Sequence, residues 1–169
     1  MCGIFGISKK NVFSQDYEKI INDIDLYIKH NQKRGSDTFG VSFKLQNEII
    51  LYKANEKPSI AIKRKSYNDF LNDNIKLKIK DNLLLIGQTR LVTNGSKFSY
   101  SNNQPLQTDN VVGVHNGIFT NLDKVDIEKT KNYESYDVKS DSLIFYENLS
   151  KISEKPDFIK NLFNFLKNI

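Results

Sequence analysis

The spacing of apolar positions along the 169-residue chain changes several times, and each change predicts an element. Residues 3–8, Gly-Ile-Phe-Gly-Ile-Ser, predict a short strand beside the amino terminus. Tyr17, Ile20, Ile21, Ile24, Tyr27 and Ile28 then recur at helical spacing, which predicts a helix over 16–33 with Gly35 as its stop. Two strand-like runs, 39–45 and 48–53, flank Gln46-Asn47 and predict a hairpin. Residues 54–81 are mixed and lysine-rich, with a short helix around 67–71. The continuous apolar run over 82–90 turns polar at Gln88-Thr89-Arg90, as a buried strand emerging at a site would. A polar loop is expected over 94–110. Residues 111–114 and 118–120 flank Asn116-Gly117, a hairpin signal because a type I′ turn needs positive φ at both central residues. Ser140 or Asp141 caps a helix reaching about residue 149, and Asp157 starts another ending near Lys167. With no internal repeat, low-complexity tract or linker, the chain reads as one domain over 1–169. Hairpins combined with a few helices indicate an α+β fold with mainly antiparallel sheet.

Composition narrows the function classes. Apolar residues at 38% and aromatics at 11% suit a packed core rather than a disordered chain. No apolar run approaches the roughly 18 residues of a membrane span, and no basic leader opens the sequence, so a cytoplasmic address is the expectation. A single cysteine and the two histidines His30 and His115 exclude an internal disulfide and a Cys-based zinc cluster, and no metal or other cofactor is expected. The net charge of +5 is nearly all lysine, with Arg34, Arg64 and Arg90 the only arginines. Such a charge attracts phosphate without specifying any readout, so nucleic acid is not the expected partner.

Candidate chemistry starts at Cys2. Once Met1 is removed, this residue carries both a thiol and a free α-amine. An α-amine titrates near about 7.7–8.0, against about 10.4 for a lysine, so it is a usable base at neutral pH beside its own nucleophile. A small buried residue opening a strand is the plainer reading of the same cysteine. His115-Asn116-Gly117 is a turn that exposes backbone N–H groups and an amide, donors suited to an oxyanion. Arg90, ending an apolar strand, suits two-point binding of a carboxylate, although a surface arginine would look the same. Arg34-Gly35-Ser36-Asp37 reads as a helix end with an ion pair, and Asp141 as a helix cap.

Taken in order, Cys2-Gly3-Ile4-Phe5-Gly6, Arg34-Gly35-x-Asp37-x-x-Gly40, Thr89-Arg90-x-x-Thr93-x-Gly95, His115-Asn116-Gly117-Ile118 and Ser140-Asp141 resemble the class II glutamine amidotransferases. The order is that of the glutaminase domains of glucosamine-6-phosphate synthase, amidophosphoribosyltransferase and asparagine synthetase, and it covers residues 2–150. The resemblance implies a four-layer αββα sandwich of two antiparallel sheets between helices. It implies hydrolysis of L-glutamine to L-glutamate and ammonia through a γ-glutamyl thioester on Cys2. Asn116 and Gly117 then form the oxyanion hole, Arg90 and Thr93 hold the substrate carboxylate, and Asp141 pairs with its ammonium. Arg34, Asp37 and His115 support these groups, Arg34 by positioning the amino-terminal end. A separate synthase receiving ammonia is the implied partner. The sugar-phosphate synthase motif has histidine, tryptophan and histidine where Gln88, Leu91 and Asn94 stand here, which weakens assignment to that enzyme in particular. Two alternatives stay open: an amidohydrolase for another γ-glutamyl amide, and a catalytically weak binding module.

Overall fold

The computed structural model describes residues 2–45, 48–76, 81–92, 100–119 and 141–167. Four long strands form one antiparallel sheet: β1 (Gly3–Val12), β2 (Thr38–Leu45), β3 (Glu48–Ala54) and β4 (Asp81–Arg90), in the spatial order β1-β4-β2-β3. The 39–45 and 48–53 runs pair as expected, with Phe39 opposite Ala54 and Leu45 opposite Glu48. The turn at 46–47 lies outside the described residues. The amino-terminal strand runs four residues past the predicted 3–8, because its neighbour β4 offers backbone partners as far as Asp81.

Side-chain alternation gives the sheet two different faces. On one, Phe39, Val41, Phe43 and Leu45 of β2 and Leu83 and Leu85 of β4 meet the helix α1 (Tyr17–Asn31). This helix buries Tyr17, Ile20, Ile24 and Ile28, spacings of three and four that keep one stripe on the sheet. Two short helices, α2 (Pro58–Ala61) and α3 (Lys65–Phe70), followed by a π-helical turn Leu71–Lys76, complete that layer. Tyr67 of α3 is fully buried and donates its hydroxyl to Asp25 Oδ1 of α1 at 2.9 Å. Burial, helped by the Asp25 carboxylate, pushes the phenol far above its ordinary range, so it stays a donor. The segment expected to be mixed thus holds two helices where one was predicted.

The opposite face is covered by residues 100–116, which include the strands β5 (Leu106–Gln107) and β6 (Val112–Gly113), paired antiparallel. Behind them packs α4 (Asp141–Ser153). Tyr146 fills the space beside Gly113, and Asn110 bonds Ser150 and Glu154. α5 (Phe158–Leu166) rests on α4 through Phe165 and Phe145, and leaves Ile159, Phe163 and Leu166 exposed. Among the described residues, the order across the molecule is helices, four-stranded sheet, two-stranded sheet, helices. This is an α+β architecture with two antiparallel sheets. None of the described helices is long and apolar enough to cross a membrane.

Three expectations need correcting. The 94–110 stretch is not all loop: its described part holds β5, because Leu106 is buried and pairs with Gly113. Asn116-Gly117 is not the turn of a hairpin, since β6 pairs backwards with β5 and neither Asn116 nor Gly117 has the positive φ that a type I′ turn demands. Gly35 does not stop α1, which ends at Asn31; glycine is required there because a Cβ would lie 2.6 Å from the Arg90 carbonyl carbon. The predicted last helix holds its place, and α4 runs on to Ser153.

Gly40 marks where the two layers touch. A Cβ there would collide with the Gln104 carbonyl oxygen and sit 2.9 Å from Pro105 Cδ. Gly40→Ala should therefore cost about 1–3 kcal/mol by overpacking, read as a lower urea midpoint with an unchanged slope. An unchanged midpoint would mean that residues 104–105 do not lie against β2.

Candidate active site

The antiparallel register fixes which residues meet at the end of the sheet. Gly3 lies opposite Thr89, Thr89 opposite Phe39, and Phe39 opposite Ala54. One step further, Arg90 pairs with Thr38, and extension of the same rows brings Cys2 and Asn55 to their flanks. Side chains in this row share the face turned towards residues 100–116.

Cys2 is half-buried. Its backbone N–H donates to Asn116 Oδ1 (3.2 Å), and Asn116 Nδ2 donates back to its carbonyl oxygen (3.1 Å). Arg34 Nε donates to the same carbonyl at 3.2 Å. The Cys2 Sγ lies 4.0 Å from the Leu91 carbonyl oxygen. Two residues far apart in sequence thus clamp the backbone of the candidate nucleophile and leave its thiol to one side. Asp37 fixes the neighbouring chain: its N–H donates to the Arg90 carbonyl (2.9 Å), and its Oδ2 accepts from the Val92 N–H (2.8 Å).

The Arg90 guanidinium donates through Nη1 to Asn103 Oδ1 at 2.7 Å. Burial lowers its pKa from the ordinary arginine value, while the nearby acidic groups of Cys2 and Asp37 oppose the shift. An arginine has range to spare, so the group remains a cation.

His115 is held through its backbone N–H and carbonyl and through one ring nitrogen. Its N–H donates to Gln104 Oε1, and its carbonyl accepts from Gln88 Nε2 (2.6 Å). Its Nδ1 pairs with Ser142 Oγ at 2.9 Å, and its ring stacks on Phe119 at 4.3 Å. Gly117 lies beneath this ring, where a Cβ would be 2.7 Å from Nε2. Asp141 opens α4 and ties it to the same turn, since its Oδ2 accepts from the Phe119 N–H at 2.8 Å and its Oδ1 from the Ser142 N–H at 2.7 Å.

The structure therefore gathers Cys2, Arg34 and Asn116 in direct contact, with Arg90 and Asp37 at the adjoining strand end. His115, Gly117 and Asp141 form the turn and helix start beside them. Thr93 lies outside the described residues, as do Asn94, Gly95 and Ser140. Among the described residues, no group of three His, Cys, Asp or Glu side chains could hold a metal ion.

Sequence reasoning missed the amides that line this face: Asn55, Asn103 and Gln104. The only signal was Asn102-Asn103-Gln104-Pro105, three consecutive amides inside a stretch that reads as loop. Gln88, read as part of the polar end of a strand and as a replacement for histidine but given no role, is 1% exposed, and its amide Nε2 spans Gln104 and His115. Lys53 also went unnoticed. It approaches the Tyr100 ring at 4.6 Å and donates to the Tyr100 carbonyl at 3.3 Å.

No family model and no curated protein matches the chain. Among solved structures, it is similar to the B. subtilis glutamine phosphoribosylpyrophosphate (PRPP) amidotransferase complexed with ADP and GMP. The TM-score is 0.59 at 19% identity, over 99% of this chain. At that identity the likeness is one of fold. The chain spans 32% of that protein's length.

Burial pushes the Lys53 ammonium down to about 8 from the ordinary 10.5. Between those values the unfolded chain binds more protons than the folded one, so this site adds stability as pH rises through that window. Lys53→Met removes the charge. Its stability advantage over wild type should be largest near neutral pH and shrink towards about pH 10.5. A gap independent of pH, measured by urea unfolding, would contradict the assigned burial.

Proposed function

We propose that this chain is the glutaminase domain of a class II glutamine amidotransferase, an N-terminal-nucleophile hydrolase of the four-layer αββα type. The observation that carries the reading is the clamp on Cys2: Asn116 holds its backbone on both sides and Arg34 holds its carbonyl, with the Arg90 cation one strand away. Such a clamp would be superfluous for a residue that merely opens a strand.

With Met1 removed, the Cys2 N–H becomes a primary amine that keeps Asn116 Oδ1 as its acceptor. The thiol proton passes to this amine, and the thiolate attacks the carboxamide carbon of glutamine. The carbonyl oxygen becomes an oxyanion, received by the Gly117 N–H and by the second hydrogen of Asn116 Nδ2, whose first is spent on Cys2. As the C–N bond breaks, the Cys2 ammonium returns its proton to the departing nitrogen, and ammonia leaves a γ-glutamyl thioester. Water, deprotonated by the same amine, then releases glutamate and restores the thiol.

Arg90 takes the substrate α-carboxylate, aided by Thr93, and Asp141 takes the α-ammonium. Asp141 Oδ1 accepts from both the Ser142 N–H and its hydroxyl, whereas Oδ2 accepts the Phe119 N–H and keeps a lone pair for a second donor. Arg34, Asp37 and His115 hold these groups in place. The ammonia is consumed by a synthase partner, which accords with the PRPP amidotransferase being named for a transfer reaction.

Cys2→Ala should keep its circular dichroism and lose glutamine turnover to background. Arg90→Ala should raise the glutamine KM about tenfold or more, the worth of a charge-assisted contact. Wild-type hydrolysis by Cys2→Ala would overturn the mechanism.

A further inference from the structure

The Arg90 guanidinium is aimed by an amide relay that begins two strands away. Asn103 is fully buried and joins Arg90, Thr38 and Asn55. Its Oδ1 accepts from Arg90 Nη1 (2.7 Å) and from Thr38 Oγ1 (3.2 Å), and its Nδ2 donates to Asn55 Oδ1 (2.6 Å). Arginine has donors only, so the atom facing Arg90 must be the amide oxygen. The nitrogen must then face Asn55, where an acceptor waits. Flipping the Asn103 amide would set N–H against N–H at Arg90 and oxygen against oxygen at Asn55. The orientation is thus fixed at both ends.

We infer that Asn103 is the positioning residue for Arg90, and that Asn55 and Thr38 set the orientation of its amide. This rests on the reading that Arg90 binds the substrate α-carboxylate. An amide is neutral, so the bond from Asn103 orients the guanidinium without cancelling the charge that attracts a carboxylate. A carboxylate in its place would compete with the substrate for the same cation. Neighbouring strands supply the remaining parts: Thr38 pairs with Arg90 in the sheet, and Asn55 follows Ala54 at the end of β3. The relay therefore inherits the rigidity of the sheet, which two-point recognition requires.

The test compares two thiol reagents on the purified protein. The first, 6-diazo-5-oxo-norleucine, is an electrophile with the α-amino-acid end of glutamine; the second, iodoacetamide, lacks that end. Asn103→Ala should slow alkylation of Cys2 by the diazoketone about tenfold, and leave the iodoacetamide rate within about twofold of wild type. Where turnover is measured, glutamine KM should rise with little change in kcat. Arg90→Ala should slow the diazoketone at least as much, and Asn103→Ala should add nothing in the Arg90→Ala background.

Equal slowing of both reagents by Asn103→Ala would assign a merely structural role and overturn the inference. So would a wild-type diazoketone rate in Asn103→Ala when Arg90→Ala is slowed. A wild-type diazoketone rate in Arg90→Ala would instead overturn the underlying reading of Arg90. If Asn103→Ala does not fold, Asn55→Ala decides by the same pair of rates. It removes the acceptor that anchors Asn103 Nδ2 and loosens the amide, so it should slow the diazoketone severalfold and spare iodoacetamide.

Discussion

One register constrains the whole site: Gly3 of β1 opposite Thr89 of β4. Because β4 is antiparallel to both β1 and β2, its carboxyl end meets the start of each. That places Cys2, Arg90 and Thr38 at one edge of the sheet, although they come from three distant parts of the sequence. A slip of one residue would turn Arg90 and Gln88 into the apolar layer beneath α1 and expose Leu83 and Leu85. Burying the two polar groups unpaired would cost several kcal/mol. Core and site thus enforce the same alignment.

The two faces of this sheet do different physical work. The helix-covered face is held by area: isoleucine, leucine, valine and aromatic side chains removed from water, with Phe39, Tyr52 and Tyr67 in mutual edge and tilted contact. The other face is held by polar pairs, with Gln88 bonded to Gln104 and Asn103 to Asn55 and Thr38, while the buried Gln88 Oε1 has no partner among the described residues. Such a network is costly if half made and specific if complete. Gly40 lets it close, because backbone from the second layer occupies the place of a side chain.

Much of this was legible from periodicity. The stripe Tyr17, Ile20, Ile24, Ile28 foretold α1, and the apolar run ending at Arg90 foretold a strand emerging at a site, because both signals come from burial on one element. Asn116-Gly117 misled, since the same dipeptide that favours a type I′ turn here serves as an amide clamp on Cys2 and a bed for the His115 ring. β5 was invisible: two residues carry too little alternation to register, and its pairing with β6 depends on what α4 packs behind it. Asn103 and Lys53 were hidden for a different reason. Amides and lysines ordinarily signal solvent, and only the folded sheet shows that these are covered.

The central claim is that Cys2 is a free amino-terminal nucleophile in a pocket that recognises glutamine. The most direct measurement is the intact mass of the purified protein before and after treatment with the diazoketone, followed by location of the adduct. The native mass should lack Met1, and treatment should leave one adduct, on Cys2. A retained Met1, or a protein without Met1 that takes no adduct on Cys2, would contradict the claim.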